Sequence, residues 1–234
     1  SRKLAHAEGL TDAEARAQLQ AWLDLLRGAF QYDRLLLLDN NGVERASSPD
    51  APHEVAAHLI QDARGAAAAV SAGQVTWQDF HRDSADGPIY LSLLVPIRST
   101  RDNHPLGLLV LRMDPGAYLF PYLQQWPVPS DSAETLLVGR DGDEVVFLNQ
   151  LRFQGDAALN LRFPLTQREL PAVQAVLGHE GMMEGVDYRG VPTVAVVRAV
   201  PESPWYLVAK MDTAEVYATL RERLLETVVF AGTL

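Results

Sequence analysis

The spacing of apolar residues changes abruptly near Tyr32, and that change divides the chain into its first elements. Leu19, Trp22, Leu23, Leu26 and Phe30 recur at i, i+3, i+4, i+7 and i+11, which predicts one apolar helix face. Thr11 with Glu14 three residues on forms a capping-box signature at its start. A weaker helical signal over residues 1–10 extends the reading to one long helix ending near Ala29. From Tyr32 the period shortens. Leu35 to Leu38 reads as a strand, Asp39-Asn40-Asn41-Gly42 as a hairpin turn, and Val43 to Ala46 as the returning strand. His53 to Ala72 reads as an Ala-rich helix. Val75 to His81, Ile89 to Ile97 and Leu106 to Met113 read as three more strands.

The same order then repeats. Leu36-Leu37, Asn41-Gly42 and Glu44 return as Leu136-Leu137, Asp141-Gly142 and Glu144, an offset of 100. Leu109-Val110-Leu111-Arg112-Met113-Asp114 returns as Leu207-Val208-Ala209-Lys210-Met211-Asp212, an offset of 98. Between the copies, Pro115, Pro121, Pro127 and Pro129 punctuate a linker, with Tyr118, Leu119, Tyr122 and Leu123 at helical spacing. In the second copy Thr135 to Val138 and Val145 to Leu148 read as strands around a turn. Arg168 to Leu177 reads as a helix, and Met183 to Tyr188, Thr193 to Ala199 and Trp205 to Met211 as closing strands. Thr213 to Glu226 is a helical run leading into apolar Val228 to Leu234, the expected start of a membrane span, with an ordinary C-terminal helix ending in apolar residues as the alternative. Seven residues are too few to cross a bilayer, which takes about 20.

The predicted fold class is therefore α+β. A long N-terminal helix (1–30) precedes two tandem modules (31–114 and 131–212), each a roughly five-stranded antiparallel sheet with flanking helices. A linker (115–130) joins them, and a C-terminal helix (213–234) follows. Composition narrows the function. The net charge of −10 disfavours wrapping nucleic acid, which requires neutralising phosphates. The absence of cysteine excludes disulfides, thiolate nucleophiles and cysteine-held metals.

Catalytic signatures are missing. There is no G-x-S-x-G, H-E-x-x-H, Walker loop or G-x-G-x-x-G. His179-Glu180 lacks the second His of a zinc motif, and His53 and His58 are poorly spaced to share a helix face. His81 with Asp79 and Asp83 reads as a solvated strand end in competition with a metal or acid–base cluster. We expect no catalytic residue, metal or cofactor. Strand alternation puts Val75, Trp77, Asp79 and His81 on one face of their strand and Thr76, Gln78 and Phe80 on the other. Tyr90 and Ser92 oppose Ile89, Leu91 and Leu93. Aromatic and hydroxyl groups together suit a small-molecule site, so Trp77, Asp79, Tyr90 and Ser92 are candidate ligand contacts, with core packing as the competing role. In the second half Asp187 and Tyr188 are the candidates, beside Arg152 and Arg189; a surface pair across a turn is the alternative.

The layout resembles the double Cache (tandem PAS-like) ectodomains of bacterial membrane signalling proteins. Asp187-Tyr188-Arg189-Gly190-Val191-Pro192, then Ser203-Pro204-Trp205-Tyr206-Leu207-Val208-Ala209-Lys210-Met211-Asp212 and Glu215, is similar to the closing strands of a membrane-proximal module of this type. Val145-Phe147-Leu148-Asn149 with Leu151-Arg152 adds to the likeness. The resemblance implies a periplasmic sensor on a bacterial inner-membrane receptor of the histidine kinase or diguanylate cyclase type. It also implies a small-molecule ligand, a homodimer through the N-terminal helix, and flanking transmembrane helices. A ligand-independent dimerisation or partner-sensing module is the alternative. One subgroup grips amino acids with an Arg closely followed by a Trp-Tyr pair. Here Trp77 precedes Gln78-Asp79-Phe80 and Arg82 comes after it, so that spacing is not met.

Overall fold

The computed structural model describes residues 11–50, 74–82 and 87–218. The expected helix over residues 53–72, the first ten residues, Asp83 and the apolar C-terminal segment lie outside them. The chain divides into two compact units, Ser1–Gly116 and Ala117–Leu234.

In the first unit, α1 (Asp12–Phe30) starts at the capping box read from the sequence. The Thr11 hydroxyl accepts from the Glu14 N–H at 3.4 Å, and the Glu14 carboxylate accepts from the Thr11 N–H at 2.9 Å. Strands β1 (Arg34–Asp39), β2 (Glu44–Ser48), β3 (Thr76–Arg82), β4 (Ile89–Arg98) and β5 (Pro105–Met113) form an antiparallel sheet in the order β2-β1-β5-β4-β3. The β1–β2 turn closes because the Asp39 carboxylate accepts from the N–H groups of Asn41 (2.8 Å) and Val43 (3.0 Å), while Gly42 takes φ 78°.

Each face of this sheet has its own core. Leu23 of α1 packs with Leu35, Leu109 and Leu111, flanked by Leu19, Leu26, Leu93, Val95 and Ile97. The other face gathers Leu36, Leu38, Leu94, Leu108 and Val110. The α1 face is narrower than its spacing predicts. Trp22 and Phe30 are exposed, as is Leu25 at 71%, because the helix meets the sheet along the Leu19–Leu23–Leu26 line alone.

The second unit begins with α2 (Leu119–Gln124), the short helix expected between the prolines, which buries Phe120 and Leu123. Its sheet runs β8-β7-β6-β11-β10-β9, built from β6 (Glu134–Asp141), β7 (Glu144–Phe147), β8 (Arg162–Pro164), β9 (Gly181–Val186), β10 (Pro192–Ala199) and β11 (Trp205–Asp212). Without β8 this is the order of the first sheet. The register repeats too: Leu36 pairs with Val110, and Leu136 with Val208. The edge strand β8 escapes sequence reading because three residues with one apolar side chain carry no alternation. The helix expected from Arg168 begins only at Pro171, as α3 (Pro171–Val176), with the proline at its first position. Phe147, Val138, Val145, Val173, Val197 and Val208 form the core between α3 and the sheet. Residues 213–218 are helical.

Leu23 is completely buried in the seam between α1 and its sheet. Leu23→Ala should cost about 2–5 kcal/mol, whereas Leu25→Ala should stay within about 0.5 kcal/mol. Urea unfolding followed by circular dichroism checks both.

Candidate functional site

In an antiparallel ladder, residues directly opposite one another project from the same face. Following that rule across the first sheet, Gln78 pairs with Ser92, Ser92 with Arg112, and Arg112 with Arg34. All four are buried, Ser92 completely. They form one polar row at the end of the Leu36–Leu94–Val110 face. Around it, Asp33 accepts from Arg112 Nε at 2.7 Å and lies 2.6 Å from its Nη2. The Arg112 guanidinium lies 4.0 Å above the Tyr90 ring. Arg34 reaches the Ser47 hydroxyl at 3.3 Å, with Glu44 at 3.7 Å. Among the described residues the Ser92 hydroxyl has no hydrogen-bond partner.

The four candidates of this unit therefore separate. Tyr90 and Ser92 share the polar face. Trp77 pairs with Leu93, whose face packs on α1, and is 48% exposed. Asp79 is exposed, its carboxylate accepting from the Phe80 N–H at 2.7 Å. A bulge between Gln78 and His81 explains the difference from simple alternation. One extra residue there pairs His81 with Tyr90. His81 thus lies on the side of Gln78 and Tyr90, not with Trp77, and its ring is 6.4 Å from that of Tyr90. Arg34 and Arg112 were not singled out by sequence. Only the β1–β5 pairing shows that they meet.

The corresponding row of the second unit is Met183, Ala195, Lys210 and Glu134. Lys210 is 1% exposed. Its ammonium donates to Asp187 at 2.9 Å and lies 3.4 Å from Glu134. Both candidates of the second unit belong to this network. Asp187 also accepts from Arg189 Nε at 2.7 Å and from the backbone N–H groups of Arg189 and Val191 at 2.8 and 3.1 Å, fixing the β9–β10 turn. Tyr188 donates to Glu134 at 2.8 Å. Burial pushes the Asp187 carboxyl up, but the bonds from Arg189 and Lys210 outweigh it and hold it below its ordinary range. Burial and the Glu134 charge both raise the Tyr188 phenol, keeping it a donor. Beside these groups, under α3, a cavity of about 10 Å³ is lined by Leu136, Phe147, Val186, Thr193 and Lys210. It has room for about one water.

The network continues to the helix at Thr213. Arg189 also pairs with Asp212, whose N–H donates to the Ser132 hydroxyl at 3.0 Å. Glu215 accepts from that hydroxyl, from Ser130 Oγ at 2.7 Å and from the N–H groups of Asp131 and Ser132 at 3.2 and 2.9 Å. The Ser132 and Ser130 hydroxyls are the main reason its pKa falls to about 2. Among the described residues no group of His, Asp and Glu is placed to hold a metal ion.

Glu215 and Asp187 are both depressed in the folded state, so their stabilisation is present at neutral pH and lost on acidification. For Glu215 the loss runs from its ordinary value of 4.5 down toward about 2. The urea midpoint should fall across that window, and Glu215→Gln should flatten the fall. Parallel profiles for the two proteins would contradict this.

No family model and no curated protein sequence matches the chain. Solved structures do. The ligand-binding domain of the Pseudomonas aeruginosa PAO1 amino-acid chemoreceptor PctB, in complex with L-Gln, is 18% identical, with a TM-score of 0.62 over 97% of this chain and 85% of that one. The PctC domain from the same organism, in complex with GABA, is 18% identical, with a TM-score of 0.57 over 90% and 86%. The domain of Pseudomonas fluorescens CtaA with L-isoleucine is 14% identical, with a TM-score of 0.55 over 87% and 78%. At these identities the likeness is one of fold: two sheet-and-helix modules in tandem behind an N-terminal helix, as in chemoreceptor ligand-binding domains.

Proposed function

We propose that the chain is the extracytoplasmic small-molecule-sensing domain of a bacterial membrane receptor. The observation that carries this reading is the two-module fold, shared over most of the chain with domains solved in complex with L-Gln, GABA and L-isoleucine. The first module (residues 31–114) is the membrane-distal, ligand-binding one, with Tyr90 and Ser92 at its site. The second (131–212) is membrane-proximal, and Asp187 and Tyr188 serve its internal network. Flanking transmembrane helices tether the domain in the inner membrane. Among the described residues no helix is long and apolar enough to cross a membrane, and the apolar segment 228–234 lies outside them. The output is of the histidine kinase, diguanylate cyclase or chemoreceptor type.

Ligand at a hundred times its Kd stabilises the bound arrangement by about 2.7 kcal/mol. That biases a two-state receptor only as far as the ligand prefers one state. The exposed Trp22 and Leu25, three residues apart on α1, suit a helix–helix contact with a second copy.

A thermal-shift screen against amino acids, organic acids, amines and purines, with hits confirmed by calorimetry, tests sensing directly. Saturable binding weakened about tenfold or more by Tyr90→Ala, but retained in Trp77→Ala on the opposite face, is the expected result. No binding in any class would favour the alternative, a ligand-independent dimerisation or partner-sensing module. Sedimentation of wild type against a Trp22→Glu/Leu25→Glu double variant tests the dimer. Loss of self-association with retained helicity is expected, and unchanged association would remove α1 as the contact.

A further inference from the structure

The chain passes from the first sheet to the second through residues 114–133, and this path ends on a stiff stretch. Pro127 and Pro129 fix their own φ angles, and each restricts the residue before it to extended backbone. A displacement of the stretch is therefore handed on to Ser130 rather than absorbed by rotation. There it meets both oxygens of the Glu215 carboxylate. Ser130 Oγ donates to Glu215 at 2.7 Å, the N–H groups of Asp131 and Ser132 at 3.2 and 2.9 Å, and the Ser132 hydroxyl completes the set. Hydroxyls and successive N–H groups around one charge make a cradle of charge-assisted bonds, the strong kind. Each hydroxyl is aimed by a second bond: Ser130 Oγ accepts from the Ala133 N–H at 2.9 Å, and Ser132 Oγ from the Asp212 N–H at 3.0 Å.

The helix that carries Glu215 lacks the apolar anchoring of the other helices. Helix α1 buries Leu23 and α3 buries Val173. Across residues 213–218 no side chain is fully buried; Val216 is half-buried and Tyr217 is exposed. We infer that Glu215 and Ser130–Ser132 form a mechanical joint that couples the stretch between the modules to the C-terminal helix. The inference rests on the sensing function proposed above and names the point at which the first module's response enters the output helix. Glu215 is thus a positioning residue, setting the helix against the entrance of β6. Asp131 is exposed and Ser130 half-buried, whereas Ser132 and Ala133 are buried, so the segment pivots where it enters β6. A tilt of Pro127–Pro129 about that pivot draws the carboxylate with it. Moving the helix alone would break charge-assisted bonds at both carboxylate oxygens. Coupling between distant sites is carried by hydrogen-bonded elements of this kind.

The test is amide hydrogen exchange, read by mass spectrometry on the purified protein. Wild type is compared with Glu215→Gln, Ser132→Ala, a Pro127→Gly/Pro129→Gly variant, and the linker substitutions combined with Glu215→Gln. Circular dichroism confirms each fold, and Ser132→Ala replaces Glu215→Gln in the comparison if the latter unfolds. Glu215→Gln should speed exchange about tenfold or more over 130–133 and 213–218 together, with β10 unchanged. The linker substitutions should also speed exchange over 213–218, and should add nothing once Glu215→Gln has opened the joint. Exchange in the helix that ignores the linker substitutions, or effects that multiply in the combined variant, would reduce Glu215 to a local anchor and overturn the joint. No change in either segment on opening the carboxylate cradle would overturn it as well. None of these readings involves a solute, so the sensing function stands or falls separately, on the thermal-shift screen of wild type.

Discussion

The burial of a cation at the end of each closing strand is the constraint on which both modules turn. A charged side chain taken out of water has to be matched by charge and hydrogen bonds, or the fold loses several kcal/mol. The two units meet that demand differently at the same position. Lys210 is matched from within by Asp187 and Glu134, two carboxylates brought in by neighbouring strands and a turn. Arg112 pairs with Asp33, the residue just before β1, and rests on Tyr90. Its cross-strand neighbour, where the second unit has a glutamate, is a second arginine.

This difference gives the two modules separate physical characters. The network of the second unit extends, through Arg189, Asp212 and Ser132, to Glu215 in the first turn of the helix that follows the sheet. Removing any one member would leave its buried partner uncompensated, so the network behaves as a unit. In the proposed receptor that rigidity is useful. It makes the helix after Thr213 move with the module rather than independently of it.

Much of the architecture was legible in the sequence because it rests on local chemistry and on repetition. The capping box at Thr11, the Asp39–Gly42 turn, the helix between the linker prolines and the equivalence of the two strand sets are all written in adjacent residues. What escaped depends on pairing. A single-residue bulge between Gln78 and His81 carries His81 to the other face, and alternation counted along one strand cannot register it. Arg34 and Arg112 sit 78 positions apart in the numbering and become neighbours only through the β1–β5 ladder. Asp187 and Tyr188 were visible as polar residues beside a turn. That they surround a buried lysine was not, because a single Lys210 within the otherwise apolar run from Trp205 to Met211 gives no sign of its partners. The over-wide α1 face has a similar cause: spacing defines a stripe, and the sheet decides how much of it is covered.

The most direct measurement is titration calorimetry with the solutes that stabilise the protein in a thermal-shift screen. Sensing by the first module predicts saturable binding that a folded Tyr90→Ala variant weakens about tenfold or more. Binding at wild-type strength in folded Tyr90→Ala would contradict the central claim.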